Sequence, residues 1–158
     1  MAYWLFKTEP DVFGLHHLKQ KPEQTARWDE VRNYQARNFL RDQVKFGDTV
    51  FIYHSQCKPT AIVGLAEVVS APYPDPSQFD QTSDYFDAKS STEKPKWFCV
   101  DIRFEQEFLH PITLSDIKNA PELSDMVLVK QGRLSVQPVT QSEAKLLLKW
   151  TKQAKKPA

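Results

Sequence analysis

The run Trp97-Phe98-Cys99-Val100-Asp101-Ile102-Arg103-Phe104-Glu105-Gln106-Glu107 decides the fold class of this chain. Phe98, Val100, Ile102 and Phe104 alternate with Cys99, Asp101, Arg103 and Glu105. A period of two is the signature of a strand with one packed face and one polar face. Trp97 falls in phase with the polar face, which makes its ring a candidate wall for a ligand.

Outward from that strand, other segments read the same way. Thr49 to Ser55 places Val50, Ile52 and His54 on one face and Phe51, Tyr53 and Ser55 on the other. Ala61 to Ser70 is almost continuously apolar, as expected of a strand covered on both sides. Tyr3 to Thr8 reads as an aromatic-rich opening strand closed by Pro10, and Arg133 to Gln137 as a late strand with Leu134 and Val136 pointing inward. Helical signals are short. Asp11 is positioned to cap a helix through about Lys19, and Asn33 to Gln43 carries an apolar stripe at Ala36, Phe39 and Leu40. Ser115 or Thr113 can cap a helix near Asp116 to Lys118, and Thr140-Gln141-Ser142-Glu143 is a capping box for a last helix through Trp150. Gly47-Asp48 marks a turn, and Pro72, Pro74 and Pro76 open a loop running through Asp87. Strands of mixed length interrupted by short helices do not build a doubly wound parallel sheet. The expected class is α+β, a small mixed barrel.

At 158 residues one domain is expected. No apolar run approaches the roughly 18 residues of a membrane span, and the N-terminus has neither a basic start nor a signal-type apolar stretch. A cytoplasmic location is expected, or a nuclear one in a eukaryote. Cys57 and Cys99 have no metal-type spacing and read as free thiols. The net charge is +1, yet the last ten residues carry Lys149, Lys152, Lys155 and Lys156 and no acid. The rest of the chain is therefore slightly acidic, unlike a surface that coats duplex DNA, and any nucleic-acid contact should be local.

Several chemistries lack support. The four glycines, Gly14, Gly47, Gly64 and Gly132, show no phosphate-loop or dinucleotide spacing. No His-Glu-x-x-His, Cys-x-x-Cys or Gly-x-Ser-x-Gly motif occurs. His16 and His17, adjacent on a helix, are expected to point apart. His54 and Ser55 should face opposite sides of a strand, so neither activates the other. Cys57 has only His54 as a sequence-local base, and Asp84 and Asp87 sit in a loop. No cofactor and no metal are expected.

What stands out instead is Trp28-Asp29-Glu30-Val31-Arg32-Asn33-Tyr34-Gln35-Ala36-Arg37-Asn38. Rings, amides and guanidinium groups fill it, with little apolar filler. On a helix Asn33 and Arg37 share a face, as do Tyr34 and Asn38. Amides match the donor–acceptor edge of a base, and arginine forks onto carbonyls and phosphates. Each residue also has a plainer role open to it: Arg37 as an ion-pair partner of Glu30 or Asp29, Asn38 as a helix cap, Tyr34 as half-buried core.

Four ordered blocks carry a family resemblance: Trp4-Leu5-Phe6-Lys7-Thr8-Glu9-Pro10, the segment Trp28 to Asn38, Gly47-Asp48 followed by Tyr53-His54-Ser55, and Arg133-Leu134-Ser135-Val136. Together they resemble the EVE domain over residues 2–150, leaving 151–158 as a basic tail. The resemblance implies a PUA-like fold, a bent pseudo-barrel sheet with short peripheral helices, related in architecture to YTH and ASCH domains. It also implies a non-enzymatic reader of modified bases in DNA, modified cytosine above all; a monomer with no membrane partner is expected. The positions it implies for the pocket are Lys7, Thr8, Trp28, Asn33, Tyr34, Arg37, Asn38, Tyr53, Ser55, Trp97 and Ser135. Glu30 stands where many members carry glycine. The alternatives are an RNA-binding module, an enzyme acting on a nucleobase or nucleotide through Lys7, Glu9, His54 and Cys57, and a protein-interaction module. On the reader hypothesis, Trp28→Ala is expected to weaken binding without unfolding the chain.

Overall fold

Alternation of apolar side chains along the strands builds two cores, one on each side of a single sheet. The computed structural model describes residues 1–152, so positions 153–158 of the basic tail fall outside the described residues. Strand β1 (Tyr3–Thr8) buries Trp4 and Phe6 on one side and Leu5 on the other. A long connection follows, with helices α1 (Pro10–Phe13) and α2 (Leu15–Gln20), strand β2 (Thr25–Trp28) and helix α3 (Tyr34–Asp42). Then come β3 (Thr49–His54), β4 (Ala61–Val68), the two-residue β5 (Tyr73–Pro74), β6 (Phe98–Thr113), α4 (Leu114–Lys118), α5 (Val127–Lys130), β7 (Val136–Val139) and α6 (Gln141–Thr151).

The sheet order is β2-β6-β4-β3-β1-β7, with β5 also paired to β6. β1 and β3 run parallel and the other pairs are antiparallel. The parallel pair explains the long connection, because a parallel neighbour requires a crossover. β3 repeats the division seen in β1: Val50 and Ile52 join Trp4 and Phe6, whereas Phe51 and Tyr53 join Leu5. α3 packs Ala36 and Leu40 into the first core, and α6 packs Ala144 and Leu147 into the second.

The sheet curls. β2 and β1 are separated in strand order by three strands, yet the rings of Trp28 and Phe6 lie 5.3 Å apart. Register shifts along β4 sharpen the bend, at Ile62/Gly64 against β6. A Cβ at Gly64 would stand 2.4 Å from the Gln106 carbonyl oxygen, so only glycine lets the two backbones approach there. Buried Asp48 fastens the chain start: its carboxylate accepts the Ala2 N–H (3.0 Å), the Trp4 indole N–H (2.9 Å) and the Lys45 N–H (2.9 Å).

The α+β class holds, and the structure corrects details. The first helix breaks at Gly14, and Glu9 rather than Asp11 precedes it as cap residue. His16 and His17 do not diverge: their ring centroids are 4.0 Å apart, because His17 turns back so that its Nδ1 accepts the Gly14 N–H (2.7 Å). Thr113, not Ser115, caps α4, and the Thr140–Glu143 capping box forms as read. The central strand runs on to Thr113, while the late strand begins only at Val136. Strand β2 is new; its sequence Thr-Ala-Arg-Trp is too short for a period to declare itself. No helix among the described residues is long and apolar enough to cross a membrane.

Candidate functional site

Because β1 and β3 are parallel, their C-terminal ends meet at one end of the sheet. β7 is antiparallel to β1, so the approach to it, Gly132 to Ser135, arrives at the same end. The junction is laced by backbone bonds: Lys7 N–H donates to Ser135 O (2.9 Å) and Ser55 N–H to Thr8 O (2.9 Å). Opposite, the curl of the sheet brings the end of β2 and the following residues 29–33. α1 adds Val12 and Phe13, and Tyr85 closes the rim. These elements enclose a cavity of about 740 Å³ lined by Lys7, Thr8, Glu9, Arg27, Trp28, Asp29, Glu30, Arg32, Asn33, Ser55, Arg133 and Ser135 among others. Its size lies within the roughly 300–1,000 Å³ of small-ligand sites.

The wall formed by residues 29–33 is held from behind by Asp75, fully buried at the start of a 3₁₀ turn (Pro76–Phe79). Its carboxylate accepts the Glu30 N–H (2.7 Å), Arg32 Nη1 (3.1 Å), the Ser77 N–H (2.8 Å) and the Ser77 hydroxyl (2.6 Å). Burial alone would push this acid up, but those donors outweigh it and hold Asp75 below the ordinary carboxylate range. Arg32 also donates to Ser77 Oγ (2.9 Å) and to Tyr85 O (2.8 Å), so one guanidinium ties wall, turn and rim together. Glu30 has φ +67°, a left-handed conformation that costs a β-carbon residue about 1–2 kcal/mol. That is the physical reason a glycine suits this position.

Four cations (Lys7, Arg27, Arg32, Arg133) and three carboxylates (Glu9, Asp29, Glu30) share the lining. Burial pushes the Lys7 ammonium below its ordinary pKa; it donates to Gly132 O and stands 5.4 Å over the Tyr53 ring. Burial, then the charges of Asp29 and Asp75, push the Glu30 carboxyl up. Arg27 is held above its ordinary value chiefly by its hydrogen bond to Asp29 (3.0 Å). Asn33 spends its carbonyl capping α3 at the Ala36 N–H (2.9 Å), which leaves its amide nitrogen without a partner among the described residues.

Of the positions implied by the sequence, Lys7, Thr8, Trp28, Asn33, Ser55 and Ser135 come together on the cavity. Trp28 is only 8% exposed and packs on Phe6 and edge-on to Phe13 (6.2 Å), so it is core as well as wall. That corrects the expectation that Trp28→Ala leaves the fold intact. Tyr53 lies in the second core, beneath Lys7, where burial raises its phenol pKa. Tyr34, Arg37, Asn38 and Trp97 form a separate cluster beside the cavity. Arg37 pairs with neither Glu30 nor Asp29; it donates to Lys96 O (2.5 Å) and Asn38 Oδ1 (2.8 Å).

Sequence reasoning missed Phe13, Arg27, Asp29, Arg32, Tyr85 and Arg133 as lining, and Asp75 as support. Asp29 and Arg32 lay inside the conspicuous segment; Tyr85 and Asp75 enter only through tertiary contacts. Among the enzyme candidates, Lys7 and Glu9 reach the cavity, whereas His54 Nε2 is occupied by the Leu15 N–H (3.1 Å). Cys57 lines a different cleft and its thiol meets the His54 carbonyl rather than the imidazole. No group of three or more metal-type side chains is gathered among the described residues.

A family model, the EVE domain, matches residues 2–150. The chain belongs to the EVE domain family. Thymocyte nuclear protein 1 of chicken is 42% identical over 164 residues, spanning 93% of this chain and 67% of that protein. Human THYN1, solved in complex with 5-methylcytosine-containing DNA, superposes with a TM-score of 0.91 at 38% identity, covering 98% of this chain and all of that one. A protein of Leishmania major superposes at 0.89 with 44% identity, covering 96% and 95%. The curled sheet with short helices is thus the PUA-like fold of EVE domains.

Proposed function

We propose that this EVE domain binds DNA and holds a modified cytosine, turned out of its strand, in the 740 Å³ cavity, without turning it over chemically. The observation that carries the proposal is the likeness over nearly the whole chain to human THYN1 bound to 5-methylcytosine-containing DNA.

The lining suits such a ligand. Trp28, Phe13 and Tyr85 offer ring surface, and stacking returns about 1–3 kcal/mol per base. Extracting a base from a duplex costs a few kcal/mol, so stacking alone leaves little net affinity. Hydrogen bonds along the edge of the base must supply the rest. Cytosine presents an exocyclic amine, for which carboxylates are the complementary acceptors, and Asp29 and Glu30 stand on the wall. Asn33 brings an unused amide donor for a ring nitrogen or carbonyl. Lys7, Arg27 and Arg133 place positive charge at the rim for phosphate, which positions the strand without reading it. A buried methyl adds only about 0.8 kcal/mol, near fourfold, so selectivity beyond that must come from shape.

Titration of the protein with single-stranded oligonucleotides carrying cytosine or 5-methylcytosine at one position tests the proposal. Tighter binding of the methylated strand, abolished when Ser135→Trp fills the cavity, is expected. Equal affinity for both strands, or full binding by Ser135→Trp, overturns it. A matched RNA strand separates the DNA reading from an RNA one, because its 2′-hydroxyl changes the contact set.

A further inference from the structure

We infer that the stacked pair Tyr34–Trp97, edged by Arg37, is a second nucleotide subsite that takes the base next to the one held in the cavity. The inference rests on the reading of the cavity given above and extends it along the strand.

Tyr34 is the first residue of α3, set there by the Asn33 cap, and is 55% exposed. Its ring lies against Trp97 with centroids 4.8 Å apart and planes 25° from parallel. Trp97 is the buried support. Its indole N–H donates to Asp87 (2.8 Å), and Gln78 clamps its backbone on both sides, accepting its N–H (3.0 Å) and donating to its carbonyl (2.8 Å). The Arg37 guanidinium carbon is 5.0 Å from the Tyr34 centroid and 6.0 Å from that of Trp97. A cation stacked on the outer face of Tyr34 would lie much farther from Trp97, so Arg37 flanks the pair and leaves that outer face open.

An open aromatic face on a rigid support, with a guanidinium at its edge, is what single-strand binders use to stack a base and meet its phosphate. The shelf is continuous with the cavity. Asn33 lines the cavity and Tyr34 follows it directly; Arg32 also lines the cavity and stands 5.3 Å from the Trp97 ring. A strand whose modified base enters the cavity therefore passes this shelf at its neighbouring nucleotide. In an intact duplex that neighbour stays stacked on its own helix, so the shelf favours single-stranded or locally opened DNA.

The test compares wild type with Tyr34→Ala, an exposed position, on two probes: 5-methyl-2′-deoxycytidine 5′-monophosphate, and a single-stranded oligonucleotide with one central 5-methylcytosine. Tyr34→Ala should leave the mononucleotide Kd unchanged and weaken oligonucleotide binding roughly 5- to 150-fold, the range of one lost base stack. Tyr34→Phe should restore it. An abasic site at one of the two flanking positions should make Tyr34→Ala silent. If Tyr34→Ala binds the oligonucleotide like wild type, the inference fails with the cavity reading intact, and a fall in melting temperature then shows that the stack serves only to hold the loop before Trp97 on α3. If wild type binds neither probe, both fail together.

Discussion

Removing the Asp75 carboxylate should collapse the cavity wall before it harms the rest of the fold. Asp75→Ala deletes an acceptor that is fully buried and serves four donors: the Glu30 N–H, Arg32 Nη1, and the N–H and hydroxyl of Ser77. Breaking a buried ion pair by removing one partner costs about 3–5 kcal/mol. Arg32 retains 20% side-chain exposure and keeps the Val31, Tyr85 and Ser77 acceptors, which places the loss at the lower end, about 3 kcal/mol. Asp75→Asn, which keeps one carbonyl oxygen but no charge, should lose about 1–2 kcal/mol. Urea unfolding with an unchanged m-value reads both. The double variant Arg32→Ala/Asp75→Ala should lose clearly less than the two single losses together, because the residues act on each other. A loss below about 1 kcal/mol for Asp75→Ala, or strict additivity with Arg32→Ala, would refute the reasoning. The pH dependence has a definite sign. Asp75 is held below its ordinary value in the folded protein, so its stabilisation is present above the unfolded carboxylate pKa and disappears as pH falls through the lower, folded one. Asp75→Asn should lack that acid-side decline.

Three other outcomes follow from the same physics. Glu30→Gly should raise stability by about 0.5–1 kcal/mol in urea unfolding, because it relieves both the left-handed strain at φ +67° and the crowding of carboxylates around Asp75; a loss would contradict the strain assignment. His54, whose folded pKa is lowered first by burial and then by the charge of His16, must stay neutral to accept the Leu15 N–H; wild type should therefore lose stability relative to His54→Gln as pH falls from 7 through the unfolded histidine value, and parallel pH profiles would exclude this. Asp48→Ala, which strands the buried Trp4 indole N–H along with two backbone donors, should cost about 2–3 kcal/mol and alter the near-ultraviolet tryptophan signal; an unaltered spectrum would contradict the contact.

The strands most visible in the sequence were those whose two faces differ. Residues 98–105 and 49–55 announced themselves by period; β3 divided its side chains between two cores as read, and Val100, Ile102 and Phe104 joined the first core, whereas Cys99, read on the polar face, is fully buried and Phe98 joins neither core. Strand β2 was silent because four residues cannot establish a period, although it carries Trp28 to the cavity. The site was half legible for a related reason. Residues at strand ends, such as Lys7, Ser55 and Ser135, could be placed by motif, because strand topology determines where those ends go. Tyr34 lies in the same conspicuous segment as Trp28 and Asn33, but α3 begins at Tyr34 and its ring stacks on Trp97, beside the cavity rather than on its lining. Asp75 sits in a proline-rich loop where an aspartate ordinarily meets water; only the tertiary fold reveals that it is buried behind residues 29–33.

The most direct test of the cavity as the base-holding site is a ¹H–¹⁵N spectrum that resolves the four tryptophan indoles during titration with a 5-methylcytosine oligonucleotide. The Trp28 indole and the Ser55 and Ser135 amides should shift at saturation while the Trp4 indole, bonded to Asp48 on the far side of the first core, stays in place. Saturable binding that leaves Trp28, Ser55 and Ser135 unmoved would contradict the account.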